Sequence, residues 1–366
     1  MERLRRPEEP RDKTPLDEDG YVRLVQMTGR GSYVVSVPKS WIETAGLKKG
    51  GRVEFSKQQN EGLLLTPFDE HGAVDEISHC QISLDSDETP ETAIRKIISL
   101  YLRGFSTIEV TSKSGTLSAA VRNEIRQVAR QKLIGTEMIT ESSKSTTLQV
   151  LLDYPQLLAP DALRRMSSIM TSMVRDAVQA LIANDKELAL QVIRTDDEID
   201  RFSLYIIRQI KWGIRHPPLE KIGIRSPPEC LAYRVITANL ERSADHASRV
   251  AKNTLVFHRP LDQVLARDIT ALARFSSDMM ETALRALNIS DYDIAESTFL
   301  ESKNLAVLAA RLIDRSSKKK MSAQELSALT LISESLRRIG EGAAAIAEIV
   351  LDLTAEKSIQ PPVRIQ

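Results

Sequence analysis

Four carboxylates fall into two pairs of equal spacing, Asp196 with Asp200 and Glu241 with Asp245. On a helix, residues four apart stand one turn apart on one face, so each pair presents two like charges to one side. An isolated pair of this kind costs roughly 0.2–0.5 kcal/mol in solvent. Bringing two such pairs together costs far more unless a cation sits between them. An all-oxygen donor set favours Mg²⁺, Mn²⁺, Ca²⁺ or ferric iron over zinc. The same residues also fit a solvated helix face, with Asp245 and Arg249 paired at i,i+4 and no metal.

Other arrangements that could do chemistry are few. The histidines, His71, His79, His216, His246 and His258, form no E-x-x-H or H-E-x-x-H spacing, which argues against di-iron and zinc hydrolase chemistry. His246 follows Asp245 directly, but adjacent helical residues diverge by about a third of a turn. It reads as a surface or interface histidine. No P-loop occurs, and no G-x-G-x-x-G follows a strand. No residue is assigned a catalytic role, and the chain is expected not to be an enzyme.

A second chemical signal is positive charge near the start. Residues 21 to 68 carry Arg23, Arg30, Lys39, Lys48, Lys49, Arg52 and Lys57 against Glu43, Glu54 and Glu61, seven against three, or +4. Within this stretch Gly29-Arg30-Gly31 reads as a turn, and the residues up to Val37 read as a strand, because a residue before proline is held extended. Pro38 can open a helix, since its missing N–H would be unpaired there. Gly46 should stop that helix, and Arg52-Val53-Glu54-Phe55 begins a second strand. About fifty residues of short strands hardly bury a core alone, so a twofold dimer is expected, which doubles the charge facing phosphates.

The elements that must position these groups follow from composition and pattern. The chain has 366 residues, 42% hydrophobic and 27% charged with zero formal net charge, enough for two or three domains. With overall charge balanced, anion affinity must come from local asymmetry. Aromatic content is 4%, which disfavours base-stacking platforms. Cys80 and Cys230 lie far apart, so neither a zinc site nor a disulfide framework is expected, and a reducing cytoplasm is. No apolar run of about twenty residues predicts membrane insertion, and the charged first residues do not resemble an export signal.

Residues 1–19 read as a disordered arm. A module at 20–69 is followed at 74–153 by the order β-α-β-α-β-β, a small two-layer α/β sandwich with strands near 77–84, 107–111, 137–140 and 146–152. Its Arg122, Arg126, Arg130 and Lys132 share an amphipathic helix and read as a solvated face. Beyond Asp161 the pattern is helical and it repeats. Met173, Ala177, Ala180, Leu181, Asp185 and Ala189 match Met279, Ala283, Ala286, Leu287, Asp291 and Ala295. Leu240, Arg242, Ala247 and Ala251 match Leu336, Arg338, Ala343 and Ala347 at a separation ten residues shorter. Two tandem three-helix bundles are predicted, at 160–257 and 262–355, with helices near 160–184, 186–214, 228–257, 262–288, 291–315 and 322–355. The fold class is therefore multidomain α+β, with a small N-terminal β module, a middle sandwich and an all-α C-terminal part.

The front segment, from Gly29-Arg30-Gly31 through Lys48-Lys49-Gly50-Gly51-Arg52-Val53, resembles the SpoVT/AbrB-type swapped-hairpin DNA-binding domain. Gly51 stands where that family usually has Asp. The resemblance implies an interleaved homodimer on double-stranded DNA, with Arg23, Arg30, Lys39, Lys48, Lys49 and Arg52 as candidate contacts. A module that only dimerises is the alternative. The tail resembles the PhoU family of phosphate-uptake regulators through Asn239-Leu240-Glu241-Arg242-Ser243-Ala244-Asp245-His246-Ala247. That resemblance implies a metal held by Glu241 and Asp245 together with Asp196 and Asp200, and partners such as a phosphate ABC transporter or a signalling kinase. The second repeat departs from it: Arg337 stands for Glu241, Glu341 for Asp245, and Ser302 and Ala306 for Asp196 and Asp200. That bundle is expected to lack a metal, with Arg337 as a fixed positive charge or an anion ligand.

Together the chain is similar to archaeal regulators that join an AbrB-type head to a PhoU-type tail. The expectation is a cytoplasmic homodimer that regulates phosphate uptake by binding DNA. The alternatives are a transport adaptor that never touches DNA and, in another class, a metal-dependent helical-bundle oxidoreductase.

Overall fold

In this computed structural model, residues 22–29, 31–57, 62–68, 79–85, 87–151 and 157–355 are described. The arm at 1–19 and the turn residue Arg30 lie outside them. The chain forms two compact units, 1–74 and 75–366.

In the first unit, Gly29 and Gly31 take φ of 63° and 122°, a backbone region costly for residues with a Cβ. They turn the chain between β1 (Gln26–Thr28) and β2 (Ser32–Val34), which pair antiparallel with Met27 opposite Tyr33. Pro38 is extended and caps helix α1 (Lys39–Thr44) from the position before its first turn. The helix stops at Gly46, where the Leu47 N–H returns to the Ile42 carbonyl at 3.0 Å. Strands β3 (Val53–Lys57) and β4 (Leu63–Pro67) form a second hairpin. None of the described residues of this unit is buried, and Leu24, Tyr33 and Phe55 are 82%, 71% and 60% exposed.

The second unit opens with a four-stranded sheet of β5 (His79–Leu84), β6 (Thr107–Ser112), β8 (Ser145–Val150) and β7 (Thr136–Glu141), in that spatial order. The β5–β6 pair is parallel, joined through helix α2 (Pro90–Arg103), and the other pairs are antiparallel. Helix α3 (Ala119–Gln131) lies with α2 on the sheet's apolar face. Ile108, Val110 and Leu148 meet Ile97, Tyr101 and Ile125 there in one buried core. Each helix starts where a hydroxyl takes an orphan N–H: Thr89 accepts from Thr92 and Ser118 from Val121.

The helical part contains α4 (Ala159–Ala183), α5 (Lys186–Arg215), α6 (Pro227–Thr254), α7 (Gln263–Ile289), α8 (Tyr292–Glu301), α9 (Lys303–Ser317) and α10 (Ala323–Thr354). The repeat is visible in its joints. Asn184 and Ser290 both turn left-handed, at φ 55° and 52°, and the next residues, Asp185 and Asp291, cap α5 and α8 with their carboxylates. One core runs through both repeats, from Met166 and Ile206 to Leu336 and Ile346. The predicted helix 291–315 is not continuous. It breaks at Ser302, whose N–H bonds three residues back to the Phe299 carbonyl instead of four.

Candidate functional site: an acidic face on α5 and α6

The middle sandwich is fastened to the helical part beside this face. Arg208 on α5 is 2% exposed and donates to the carbonyls of Tyr101, Gly104 and Phe105, where α2 ends. These carbonyls sit at the C-terminal end of α2, the negative end of its dipole, so a buried guanidinium is stabilised there. The Tyr101 ring lies under the same guanidinium at 4.7 Å.

About two and three turns earlier on α5 stand Asp200 and Asp196, and α6 brings Glu241 and Asp245 towards them. Burial, then the charges of Asp245 and Asp200, push the Asp196 carboxyl up to about 6. Burial and the charges of Asp200 and Asp245 raise Glu241 as well, opposed by the Ser203 hydroxyl, which donates to its Oε2 at 3.1 Å. The four predicted carboxylates are therefore close enough to repel one another across two helices. Asp245 is exposed, and among the described residues no ion pair joins it to Arg249.

One positive charge at the face comes from the sandwich. Lys132, just past the end of α3, donates from Nζ to Asp200 Oδ2 at 3.2 Å and lies 3.9 Å from Asp197 Oδ1. The expectation that α3 presents only a solvated basic face is thus corrected. Arg122 and Arg126 pair with Glu141 of the sandwich itself, at 3.7 and 2.6 Å, while Lys132 reaches the bundle. No periodicity signals this contact, because it joins residues 68 apart whose elements meet only through tertiary packing.

The donor chemistry of the acidic face suits a hard cation, but its geometry does not. Among the described residues no three His, Cys, Asp or Glu side chains converge closely enough to hold a metal ion. As arranged, the face holds an ammonium group rather than a coordination site.

The second repeat solves the same position locally. Arg337 donates to Glu334 at 2.8 Å and pairs also with Glu341, both on its own helix. Its charge is neutralised within α10, which leaves no anion site at that guanidinium. Between α6 and α10 lies a cleft of about 510 Å³ lined by Arg242, Asp245, His246, Arg249, Arg338 and Glu341. His246 lines it with a buried, unpartnered Nδ1 and is held below its usual pKa by burial and by Arg249.

In the first unit, Arg23, Lys39, Lys48, Lys49 and Arg52 are all exposed, and Lys39 pairs with Glu43 at 3.4 Å. Arg30 lies outside the described residues.

Residues 163–254 match the PhoU domain family, and residues 26–69 match the family described as antidote-toxin recognition MazE, bacterial antitoxin. The chain thus carries a PhoU domain behind a MazE/AbrB-type domain. It is similar to a phosphate-specific transport system accessory protein PhoU homolog of Zymomonas mobilis, 25% identical over 50% of this chain and 78% of that protein. The homolog of the same name from Borreliella burgdorferi is 26% identical over 56% of this chain and 91% of its own. A crystal structure of the phosphate transport system regulatory protein PhoU from Streptococcus pneumoniae aligns with a TM-score of 0.49 at 18% identity, over 56% of this chain and 96% of that one. No helix among the described residues is long and apolar enough to cross a membrane.

Proposed function

We propose that this chain is a homodimeric DNA-binding regulator of phosphate uptake, in which a MazE/AbrB-type head reads double-stranded DNA and a PhoU-type tail receives the signal. The observation that carries this is the joining of those two domains in one chain, at 26–69 and 163–254. The condition of the head supports it. Its described residues bury nothing, while Val22, Leu24, Met27, Tyr33, Phe55 and Leu63 are all more than half exposed. An apolar surface of this kind needs a cover, and a second copy of the same hairpins supplies one of matching chemistry. Pairing also sets two clusters of Lys48, Lys49 and Arg52 on one assembly.

The test is fluorescence anisotropy on duplexes from promoters of phosphate-transporter genes, titrated with salt. The expected result is affinity that falls linearly on a log–log salt plot, with Lys48→Ala plus Lys49→Ala on each of two subunits reducing the slope by up to about four. Arg30→Ala is expected to weaken binding as well. Absent or salt-independent binding overturns the reading. The names of the relatives favour a second reading for that case, an adaptor to a phosphate transporter whose head only dimerises.

A further inference from the structure

We infer that the cleft between α6 and α10 binds a small phosphate-bearing anion, held by Arg242 and Arg249 with Arg338 reaching in from the other wall. The inference names a ligand for the helical tail and holds whether or not the head binds DNA, so its test uses no DNA. At about 510 Å³ the cleft has the size of a small-molecule site. Arg242, Asp245, His246 and Arg249 stand at i, i+3, i+4 and i+7, on one face of α6, and all four line it. Among the described residues neither Arg242 nor Arg249 forms an ion pair. A guanidinium offers a planar fork of N–H donors that matches phosphate oxygens two at a time.

The surroundings prepare these groups for a ligand. Asn239 is 7% exposed and lines the cleft; its amide donates to the Val235 carbonyl at 3.2 Å, and its Oδ1 accepts from Arg242 Nη2 at 2.9 Å. One edge of the guanidinium is thereby fixed while its other N–H groups stay available. His246 brings a buried Nδ1 with no protein partner, a costly state that a ligand atom in the cleft relieves. Gly342 lets α10 come close on the far side, since a Cβ there would fall 2.9 Å from Ser243 Oγ. Arg338, the repeat counterpart of Arg242, lies one turn before it.

Two carboxylates in the lining select among anions. Glu341 is held by Arg337 and, at 3.3 Å, by Arg338, so its charge is met within α10. Asp245 forms no ion pair among the described residues, so the ligand must bring a hydroxyl donor along with its negative charge. Monohydrogen phosphate and sugar phosphates carry both. Sulfate near neutral pH carries no hydroxyl and meets Asp245 as a like charge.

The experiment is isothermal titration calorimetry of the full chain at neutral pH with chelator present, using inorganic phosphate and AMP as separate probes and sulfate as the control. One site per chain is expected for at least one probe. Tighter binding of inorganic phosphate assigns the free ion, and tighter binding of AMP assigns a phosphate ester. Both arginines are exposed, so removing either leaves the fold intact. Arg242→Ala and Arg249→Ala should each weaken binding roughly tenfold or more. Arg285→Ala, which removes an exposed guanidinium from α7, should change nothing. No saturation by either probe up to about 1 mM overturns the inference. Sulfate binding as tight as phosphate overturns it too, as does a loss in Arg285→Ala equal to that in Arg242→Ala, since general attraction to positive charge would then account for the binding.

Discussion

The two helical repeats share their joints and their core and differ in where they take positive charge. At the position of Glu241 in α6, the second repeat has Arg337 in α10, bound to Glu334 and Glu341 of its own helix. The first repeat keeps its acids and borrows Lys132 from a separate layer. The same division appears further along α5. Arg208 is buried against the end of α2, whereas its counterpart in α9, Asp314, sits at the surface and pairs with Lys318 at 2.6 Å. The first repeat has become an attachment surface, and the second has closed on itself. Charge that reaches another element can couple that element to a ligand; charge satisfied within one helix cannot.

The comparison is broken most severely at Arg208. Arg208→Ala leaves three carbonyls at the end of α2 without a buried charged donor and opens a cavity beside Tyr101. A loss of about 3 kcal/mol is expected, read by urea denaturation of the full chain through the unfolding of the 75–366 unit. Asp314→Ala, which breaks an exposed i,i+4 pair, should cost at most about 0.5 kcal/mol. Equal effects would mean that the two repeats are not divided in this way.

Much of this architecture was legible in the sequence because it is local. Gly46 and Gly104 mark helix ends, and Asp185 with Asp291 mark helix starts at matching places in the two repeats. Helical periodicity then placed the four carboxylates on two faces that do meet. The rest was not legible because it depends on contacts between distant segments. Lys132 reads as one more basic residue on an amphipathic helix, and nothing local says that Asp200 lies 3.2 Å away. Arg208 reads as a polar position on α5, since the carbonyls that bury it belong to residues more than a hundred positions earlier. The break at Ser302 likewise leaves the apolar pattern around it intact, because Leu305, Ala309 and Leu312 remain buried beyond it.

A finer difference lies in the core. Ala244 of α6 corresponds to Gly340 of α10, where an added Cβ would fall 2.4 Å from Leu305 Cδ2 and 3.0 Å from Ser276 Oγ. Gly340→Ala gains about 1 kcal/mol in helix propensity. Overpacking against a buried leucine and a hydroxyl bonded to the Leu336 carbonyl costs about 2 kcal/mol, so net destabilisation near 1 kcal/mol is expected. Shortening the neighbour in Gly340→Ala with Leu305→Val should recover part of that loss in the same denaturation assay. A purely additive double variant would place the strain elsewhere.

The smallest effect sharpens the comparison at the acidic face itself. Asp196 titrates at about 6 in the folded chain against 3.8 for a free side chain, so between those pH values the folded state binds more protons than the unfolded one. Stability therefore falls as pH rises from about 4 to about 6 and is flat with respect to this group outside that window. Because Asp196 is only partly buried, solvent screening reduces the effect to roughly 0.5–1 kcal/mol. Asp196→Asn should remove the slope, measured with chelator present, and should stabilise the chain at pH 7.5 while changing little at pH 4. Ser302→Asn, at the corresponding place in the second repeat, should leave the slope as it is, because no carboxylate occupies that position. A wild-type stability that rises through this window and stays rising in Asp196→Asn is compatible with other carboxylates; an unchanged difference between the two proteins from pH 4 to pH 7.5 is not compatible with repulsion at Asp196.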